Sequence, residues 1–182
     1  MKTTLFPERP RSAHQQFFLS DTEHWTLPAR KNKKKIELDT VFEEKVALIT
    51  VYPNMDPEII DFYLKKGYKG IVLATTALGH VPTWTKGSLI PYIKKASEKG
   101  IPVCIASQTL YGRVTPYVYT NLRKVSIEAK GIYLEDMLPE VAYIKLGWVL
   151  GHTNDYEKAK EMMLTNYKGE INLRHTPEMF LY

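Results

Sequence analysis

From residue 45 onward, short apolar runs alternate with amphipathic segments. The runs are rich in β-branched residues and predict strands at residues 46–51, 70–74 and 101–106. Between them the apolar positions recur with a helical period, which predicts helices over residues 56–67 and 88–99. Asp56, Pro57 and Glu58 supply a capped start for the first helix, and Gly67 suits its left-handed end. Continuous apolar strands joined by helices indicate a parallel sheet covered on both faces.

The second half of the chain is dominated by helical patterns. Helices are predicted over residues 116–129, 138–150 and 155–165, and a short strand over residues 131–134. Asn154 is expected to cap the last helix, and the chain after Gly169 is expected to be extended. The order of elements predicts an α/β fold, a Rossmann-like three-layer domain with a small, doubly wound parallel sheet.

The first 40 residues have a different character. They carry three prolines, scattered aromatic residues and the basic run 30–35 (RKNKKK), and they show no sustained period. We interpret residues 1–40 as an extended N-terminal arm or linker, with at most one short strand at residues 35–38. Residues 41–170 are expected to form the α/β domain, and residues 171–182 a C-terminal tail. The arm's aromatic residues are expected to pack on the following domain or on a partner.

Composition restricts the class of protein. A hydrophobic content of 44% with 25% charged residues is that of an ordinary globular domain. No apolar run approaches the length of a membrane span and the first ten residues lack the apolar core of a secretory signal, so we expect the chain in the cytoplasm, away from membranes. The single Cys104 is interpreted as a buried thiol rather than a nucleophile. The net charge of +5 fits either a solvated lysine-rich loop or a surface for tRNA or another anionic partner.

Candidate chemistry lies in the loops that follow the strands, where parallel sheets bind ligands. Gly79 and His80 follow the second predicted strand, and Ser107 and Gln108 follow the third. Since adjacent strands are about 4.8 Å apart, His80 and Gln108 are expected near one another, where they would bind a carboxylate or an amide. A structural role is the alternative for each: a hydrogen-bonded histidine for His80, and turn chemistry for Ser107 and Gln108.

Other kinds of site find little support in the sequence. No loop combines a nucleophile with a base and an orienting carboxylate, and none is a glycine-rich phosphate loop. The five histidines have no metal-binding spacing, so neither a metal nor a cofactor is expected. Glu135 and Asp136 are interpreted as acids that favour the start of the following helix, rather than as paired catalytic carboxylates.

Six sequence blocks carry a family resemblance. In order, they are residues 68–72 (YKGIV), 78–80 (LGH), 107–114 (SQTLYGRV), 135–140 (EDMLPE), 145–153 (KLGWVLGHT) and 163–171 (MLTNYKGEI). This series resembles the C-terminal domain of asparaginase-type amidohydrolases over roughly residues 39–171. The blocks at 107–114 and 135–140 are similar to those of the amidotransferase branch of the family, the D subunits of archaeal glutamyl-tRNA(Gln) amidotransferases.

The resemblance implies a non-catalytic half. In this family the threonine nucleophile and the residues that activate it lie in an N-terminal domain on TGGT and HGTD motifs, and neither motif occurs in the 182 residues. The resemblance therefore implies no catalytic residue here and no amide hydrolysis by this chain alone. It implies that this chain completes the site and the dimer of a separate or missing catalytic domain. Gly79, His80, Ser107 and Gln108 are the residues expected to contribute to that site.

The implied partners follow from the same resemblance. They are the catalytic N-terminal domain or chain, a second copy of this chain, the amidotransferase E subunit and, indirectly, tRNA. In this family the E subunit carries out the ATP-dependent activation and transfer steps. The whole assembly forms Gln-tRNA(Gln) from Glu-tRNA(Gln). The alternative function is a stand-alone protein- or RNA-binding module derived from the same domain. The short length fits a truncated piece, one half of a split gene or a degenerate relative.

One loop departs from the family pattern. Where relatives are expected to have an acidic residue and two glycines before the LGH block, this chain has Ala74, Thr75, Thr76 and Ala77. A side chain at these positions is expected to prevent the close backbone approach to a ligand that glycine allows. The departure counts against assigning to this loop a substrate contact that the family makes here.

Overall fold

A computed structural model describes residues 37–84, 86–177 and 180. Most of the predicted arm, and the first two residues of the possible strand at 35–38, therefore lie outside the described residues, while Glu37 and Leu38 form no strand. Residues 40–174 make one compact unit, and the remaining described residues belong to a second one, in which the rings of His175 and Phe180 lie 6.0 Å apart. Within the described ranges no helix has the length and apolarity needed to cross a membrane.

Four parallel strands form the sheet of the compact unit. They are β1 (Val46–Thr50), β2 (Gly70–Thr75), β3 (Val103–Ser107) and β4 (Ile132–Tyr133), hydrogen-bonded in the order β1-β2-β3-β4. Val46 pairs with Gly70 at one end of β1, and Thr75 pairs with Ser107 at the end of β2. The predicted strands are confirmed, and β3 begins later than expected because Pro102 has no backbone N–H for the ladder.

Helices cover the two faces of the sheet unequally. Three helical segments connect the strands, namely α1 (Glu58–Lys65), α2 (Ile90–Glu98) and α3 (Thr120–Arg123), which continues as a π-helical turn over Lys124–Glu128. Two further helices follow β4, namely α4 (Pro139–His152) and α5 (Tyr156–Leu164). Ile60, Ile93 and Val125 belong to the core beneath the connecting helices, while Leu146 and Met163 belong to the core on the other face. The three-layer α/β prediction is confirmed.

The prediction that the sheet is doubly wound was wrong. The strands lie in the sheet in the same order as in the sequence, so every connection runs in the same direction across the sheet. Because parallel crossovers are right-handed, three crossovers in one direction bring their helices to the same face. The other face is then left for α4 and α5, which come after the last strand. The sheet consequently has no point at which the strand order reverses, and a ligand site must be built by the loops themselves.

Three local predictions need correction at helix starts. The helix predicted from residue 116 begins at Thr120, because Tyr117, Val118 and Tyr119 are more than half exposed and offer no buried face to anchor an earlier turn. The last helix is capped by Asp155, whose carboxylate accepts from the backbone N–H of Lys158 at 2.7 Å, and not by Asn154. The first helix also differs from its prediction: Pro57, not Asp56, is at the N-cap position, and the Asp56 carboxylate accepts from the backbone N–H of Glu58, the first helical residue, at 2.9 Å.

A buried ion pair fastens the segment after α5 to α4. The Lys145 ammonium group lies 2.7 Å from the Glu170 carboxylate, and their side chains are only 7% and 12% exposed. Lys145 also donates to the carbonyl of Thr165, and Glu170 accepts from the backbone N–H groups of Tyr167 and Lys168. Residues 165–170 are thereby held in one position against the helix.

Candidate functional site

A cavity of about 250 Å³ opens at the carboxyl edge of the sheet, next to the start of α4. Its wall includes the ends of three strands and the first turn of the helix: Leu48, Thr50, Ala74, Ser107, Gln108, Leu110, Leu138, Pro139 and Glu140. Two of the four residues predicted for a site, Ser107 and Gln108, therefore line the same cavity. The topology explains the arrangement, because all four parallel strands end at this edge.

The Gln108 side chain holds two strand ends together. Its amide nitrogen donates to the carbonyls of Val51 at 2.7 Å and Ala74 at 2.8 Å, and its backbone N–H donates to Thr75 at 2.8 Å. A primary amide has two hydrogens, and both are used. Only the amide oxygen of Gln108 is left to act on a ligand, and it acts as an acceptor. Gln108 is suited to a group that carries N–H, such as an amide, rather than to a carboxylate.

The Ser107 hydroxyl forms hydrogen bonds to two loops. It donates to the carbonyl of Ala77 at 2.8 Å and accepts from the backbone N–H of Thr109 at 3.1 Å, and the residue is buried. Nearby, the hydroxyl of Thr75 donates to the carbonyl of Ala106 at 2.7 Å. These bonds connect the loop after β2 to the loop after β3. In this conformation Ser107 shapes the edge of the cavity.

The loop after β2 closes on itself and is anchored by a tyrosine. Thr76 and His80 exchange backbone hydrogen bonds of 3.2 and 2.9 Å. Gly79 has a φ of +104°, and a Cβ built on it would lie 2.5 Å from the ring of Tyr133, so a side chain has no room. The Tyr133 hydroxyl lies 3.2 Å from the carbonyls of both Gly79 and Leu122. Burial raises the pKa of Tyr133, which keeps it a neutral donor.

Tyr133 was missed by the sequence analysis. The available signal was a phenol at the end of an otherwise aliphatic strand, since a buried tyrosine usually has a partner for its hydroxyl. The partner itself was not predictable, because Gly79 lies 54 residues earlier in the chain.

His80 is half-buried and lies against the ring of Tyr119, with the ring centroids 5.5 Å apart. The bonds of Gln108 instead lead to the ends of β1 and β2. The two side chains thus interact with different parts of the edge. Their joint action on a ligand stays a prediction.

Ala77 occupies a position for which the family resemblance implies glycine. Its φ is +46°, in the left-handed region that favours glycine. The backbone at Ala77 therefore has the conformation that a glycine would adopt without strain.

Glu135 and Asp136 do not cap α4, and that prediction was wrong. Glu135 has a φ of +60° and its carboxylate pairs with Arg113 at 2.6 Å, while Asp136 accepts from the backbone and side chain of Asn172 at 2.9 and 2.7 Å. The helix begins only at Pro139, and both acids are bound to other segments before it starts. Arg113 also donates to the carbonyl of Asn172 at 2.8 Å. Together these bonds fasten the loop after β3 to residue 172.

No group of three histidine, cysteine or acidic side chains suited to a metal ion occurs among the residues that the structure describes. Cys104 lies fully buried in the central strand, and burial raises its pKa to about 12 while the nearby charge of Lys145 lowers it to a smaller extent. A thiol in this state is neutral at physiological pH and does not react as a nucleophile.

Comparison with known proteins gives consistent results. The family described as "Glutaminase/Asparaginase C-terminal domain" matches residues 45–163. The chain is 53% identical over 152 residues to the D subunit of glutamyl-tRNA(Gln) amidotransferase from Pyrococcus furiosus, covering 84% of this chain and 34% of that protein. The D subunit from Methanothermobacter thermautotrophicus is 47% identical over 145 residues, covering 80% and 32%. The chain therefore spans about a third of the length of these relatives.

Two solved asparaginases share the fold. The thermostable L-asparaginase of Thermococcus kodakarensis superposes with a TM-score of 0.68 at 30% identity, over 78% of this chain and 44% of that one. L-asparaginase I of Vibrio cholerae superposes with a TM-score of 0.69 at 29% identity, over 79% and 42%. In both cases the similarity covers less than half of the solved chain.

Proposed function

This chain belongs to the glutaminase/asparaginase C-terminal domain family, and from that premise we propose that it serves as the nucleophile-free part of the amide-hydrolysing subunit of a tRNA-dependent amidotransferase. The observation that carries the proposal is the 53% identity to the archaeal D subunit, which extends over 84% of this chain and a third of the relative. In the proposed assembly a catalytic domain or chain supplies the threonine nucleophile. The E subunit then uses the released ammonia to form Gln-tRNA(Gln) from Glu-tRNA(Gln).

The carboxyl edge of the sheet is the part proposed to face the catalytic domain. Gln108 lines the 250 Å³ cavity and both of its amide hydrogens are already used, so its oxygen is the atom proposed to accept an N–H from an amide. His80 provides a second contact from the loop that Tyr133 anchors. In this proposal Gly79 and Ser107 maintain the shape of the edge, and none of the four residues carries out bond cleavage.

Reconstitution tests the proposal. The 182-residue chain is mixed with a separately expressed polypeptide that covers the part of the Pyrococcus furiosus D subunit outside the matched segment. Ammonia release from L-asparagine and L-glutamine is then measured. Each piece alone is expected to be inactive, and the mixture active, because only the mixture holds both halves of the site. A mixture no more active than its components would favour the alternative, a stand-alone protein- or RNA-binding module.

The proposed site residues are tested in the same assay. His80→Ala and Gln108→Ala should each lower kcat/KM of the reconstituted enzyme by about tenfold, the effect of losing one hydrogen bond in a site. Glu98→Ala, which changes a side chain 62% exposed on α2, is the control and should have no effect. If the losses instead follow the melting temperature of each variant, the two residues have only a structural role.

A further inference from the structure

Two aromatic rings from different segments meet beyond the carboxyl ends of the strands. His80, in the loop after β2, is half-buried, and its ring lies 5.5 Å from that of Tyr119 with an angle of 46° between the ring planes. Tyr119 directly precedes α3 and is 52% exposed, so a molecule that approaches this edge can reach it. The edge therefore carries an accessible ring pair that the sequence patterns did not indicate.

The segment that carries Tyr119 is held by the start of α3. The Tyr119 carbonyl accepts from the backbone N–H of Arg123 at 3.1 Å, which closes the first turn of the helix. The Arg123 guanidinium donates to the carbonyl of Tyr117 at 2.8 Å and to the hydroxyl of Thr120 at 2.9 Å. The position of Tyr119 consequently follows that of α3.

One buried phenol ties α3 to the loop that carries His80. The Tyr133 hydroxyl lies 3.2 Å from the carbonyl of Gly79, next to His80, and 3.2 Å from the carbonyl of Leu122, within α3. A phenol has one hydrogen, and both distances exceed the usual value of about 2.8 Å for an O–H donor, as expected for a hydrogen shared by two acceptors. Tyr133 is 8% exposed, and burial raises its pKa, so the shared hydrogen stays in place.

We propose that Tyr119 is a further residue that contacts the amide donor, beside His80, and that Tyr133 is the positioning residue that sets the spacing of these two rings. The donor contact rests on the proposed function, whereas the spacing rests on the hydrogen bonds to Gly79 and Leu122. Tyr119 has a hydroxyl that donates and accepts, together with a ring face, and both suit an amino-acid amide. Rings on separate segments act on one ligand only while their spacing is fixed, because a misplacement of about 1 Å in a site can lower the rate roughly a hundredfold.

Nuclear magnetic resonance of the chain alone tests the positioning without catalysis. The wild type should show a nuclear Overhauser contact between the rings of His80 and Tyr119. Tyr133→Phe keeps the aromatic ring but loses the hydroxyl, so this contact should weaken at least threefold. The matched control is Tyr156→Phe, which removes a phenol that donates to the carbonyl of Lys130 at 2.7 Å and should leave the contact unchanged. A contact of full intensity in Tyr133→Phe overturns the positioning role.

The reconstitution assay tests the contact with the donor. Tyr119→Ala should lower kcat/KM of the mixture by about tenfold, whereas Tyr117→Ala, on the same segment and 77% exposed, should have no effect. Tyr133→Phe should lower kcat/KM by about fivefold, and Tyr156→Phe should leave it unchanged.

A combined variant separates positioning from a merely structural role of Tyr133. In a chain that already carries His80→Ala and Tyr119→Ala, Tyr133→Phe should cause no further loss of kcat/KM, because no ring pair is left to position. An equal loss in both backgrounds shows a merely structural role and overturns the proposal.

Failure of this inference and failure of the proposed function give different results. An inactive wild-type mixture overturns the proposed function together with the donor contact of Tyr119, while the nuclear Overhauser contact still decides the role of Tyr133. An active mixture that Tyr119→Ala leaves unchanged overturns the donor contact and keeps the proposed function.

Discussion

The ion pair between Lys145 and Glu170 makes the stability of this domain dependent on pH in a way that Glu170→Gln should remove. Burial raises the pKa of Glu170, but the hydrogen bonds from Lys145 and from backbone N–H groups outweigh it and lower the pKa to about 2. The ordinary value is 4.5. The folded protein thus keeps the carboxylate charged to a lower pH than the unfolded chain does.

The structure sets the size of the effect. A fall in pKa from 4.5 to about 2, at about 1.4 kcal/mol for each pKa unit, corresponds to about 3 kcal/mol of stability. The two side chains are only 12% and 7% exposed, so water reduces this figure only modestly, to about 2–3 kcal/mol. Glu170→Gln also leaves the Lys145 ammonium group buried without its counter-charge, which is the costly way to break a buried pair. For a chain of this length we expect the melting temperature to fall by about 5–10 °C.

The sign of the pH dependence follows from the direction of the shift. Because the folded pKa lies below the unfolded one, the contribution is complete above pH 4.5 and is lost as the pH falls towards about 2. Melting curves of the wild type and Glu170→Gln should therefore differ most at pH 7, and the difference should shrink to about half at pH 3. The control is Glu98→Gln, whose partner Lys94 lies 3.9 Å away at an exposed site, and which should change the melting temperature by less than about 2 °C.

A double variant separates the charge from the packing. Adding Lys145→Met to Glu170→Gln should recover much of the lost stability, since an apolar side chain has no buried charge to compensate. A Glu170→Gln variant that lowers the melting temperature no more than Glu98→Gln does, or whose effect is the same at pH 3 as at pH 7, would contradict this role of the ion pair.

Three further predictions follow from the loops and the core. Gly79→Ala should lower the free energy of unfolding, measured with urea, by about 2–4 kcal/mol because its Cβ would meet Tyr133. Gly100→Ala is the control, since Gly100 also has a positive φ but faces open space, and it should lower the same quantity by only about 1 kcal/mol. Equal losses would show that the contact with Tyr133 is unimportant. Ala77→Gly should stabilise the fold by about 1 kcal/mol by relieving a left-handed alanine, and a loss of stability would contradict this. The Cys104 thiol should react with a disulfide reagent at pH 8 only after unfolding, and rapid labelling of the folded chain would show that it is accessible.

Local patterns in the amino-acid sequence were sufficient to predict most of the secondary structure and the family. Apolar runs and helix-start residues act over a few neighbours, so the strands β1 to β4 and helix α4 were predicted close to their observed positions. Asp56 and Gly67 were recognisable for the same reason, because a side chain that bonds the helix start and a left-handed helix end are local features. The family was recognised from ordered sequence blocks, which do not depend on contacts.

The hydrogen-bond partners of the polar side chains depend on the tertiary structure. Gln108 gives its amide hydrogens to Val51, 57 residues earlier, and to Ala74, and no local pattern identifies carbonyl groups that distant. Glu135 and Asp136 suited a helix start by composition, but Arg113 and Asn172 became their partners once the chain had folded. A buried or crowded polar group bonds to whichever donor or acceptor the packing brings within about 3 Å. Sequence spacing predicts such groups only when the partner lies within the same turn or helix.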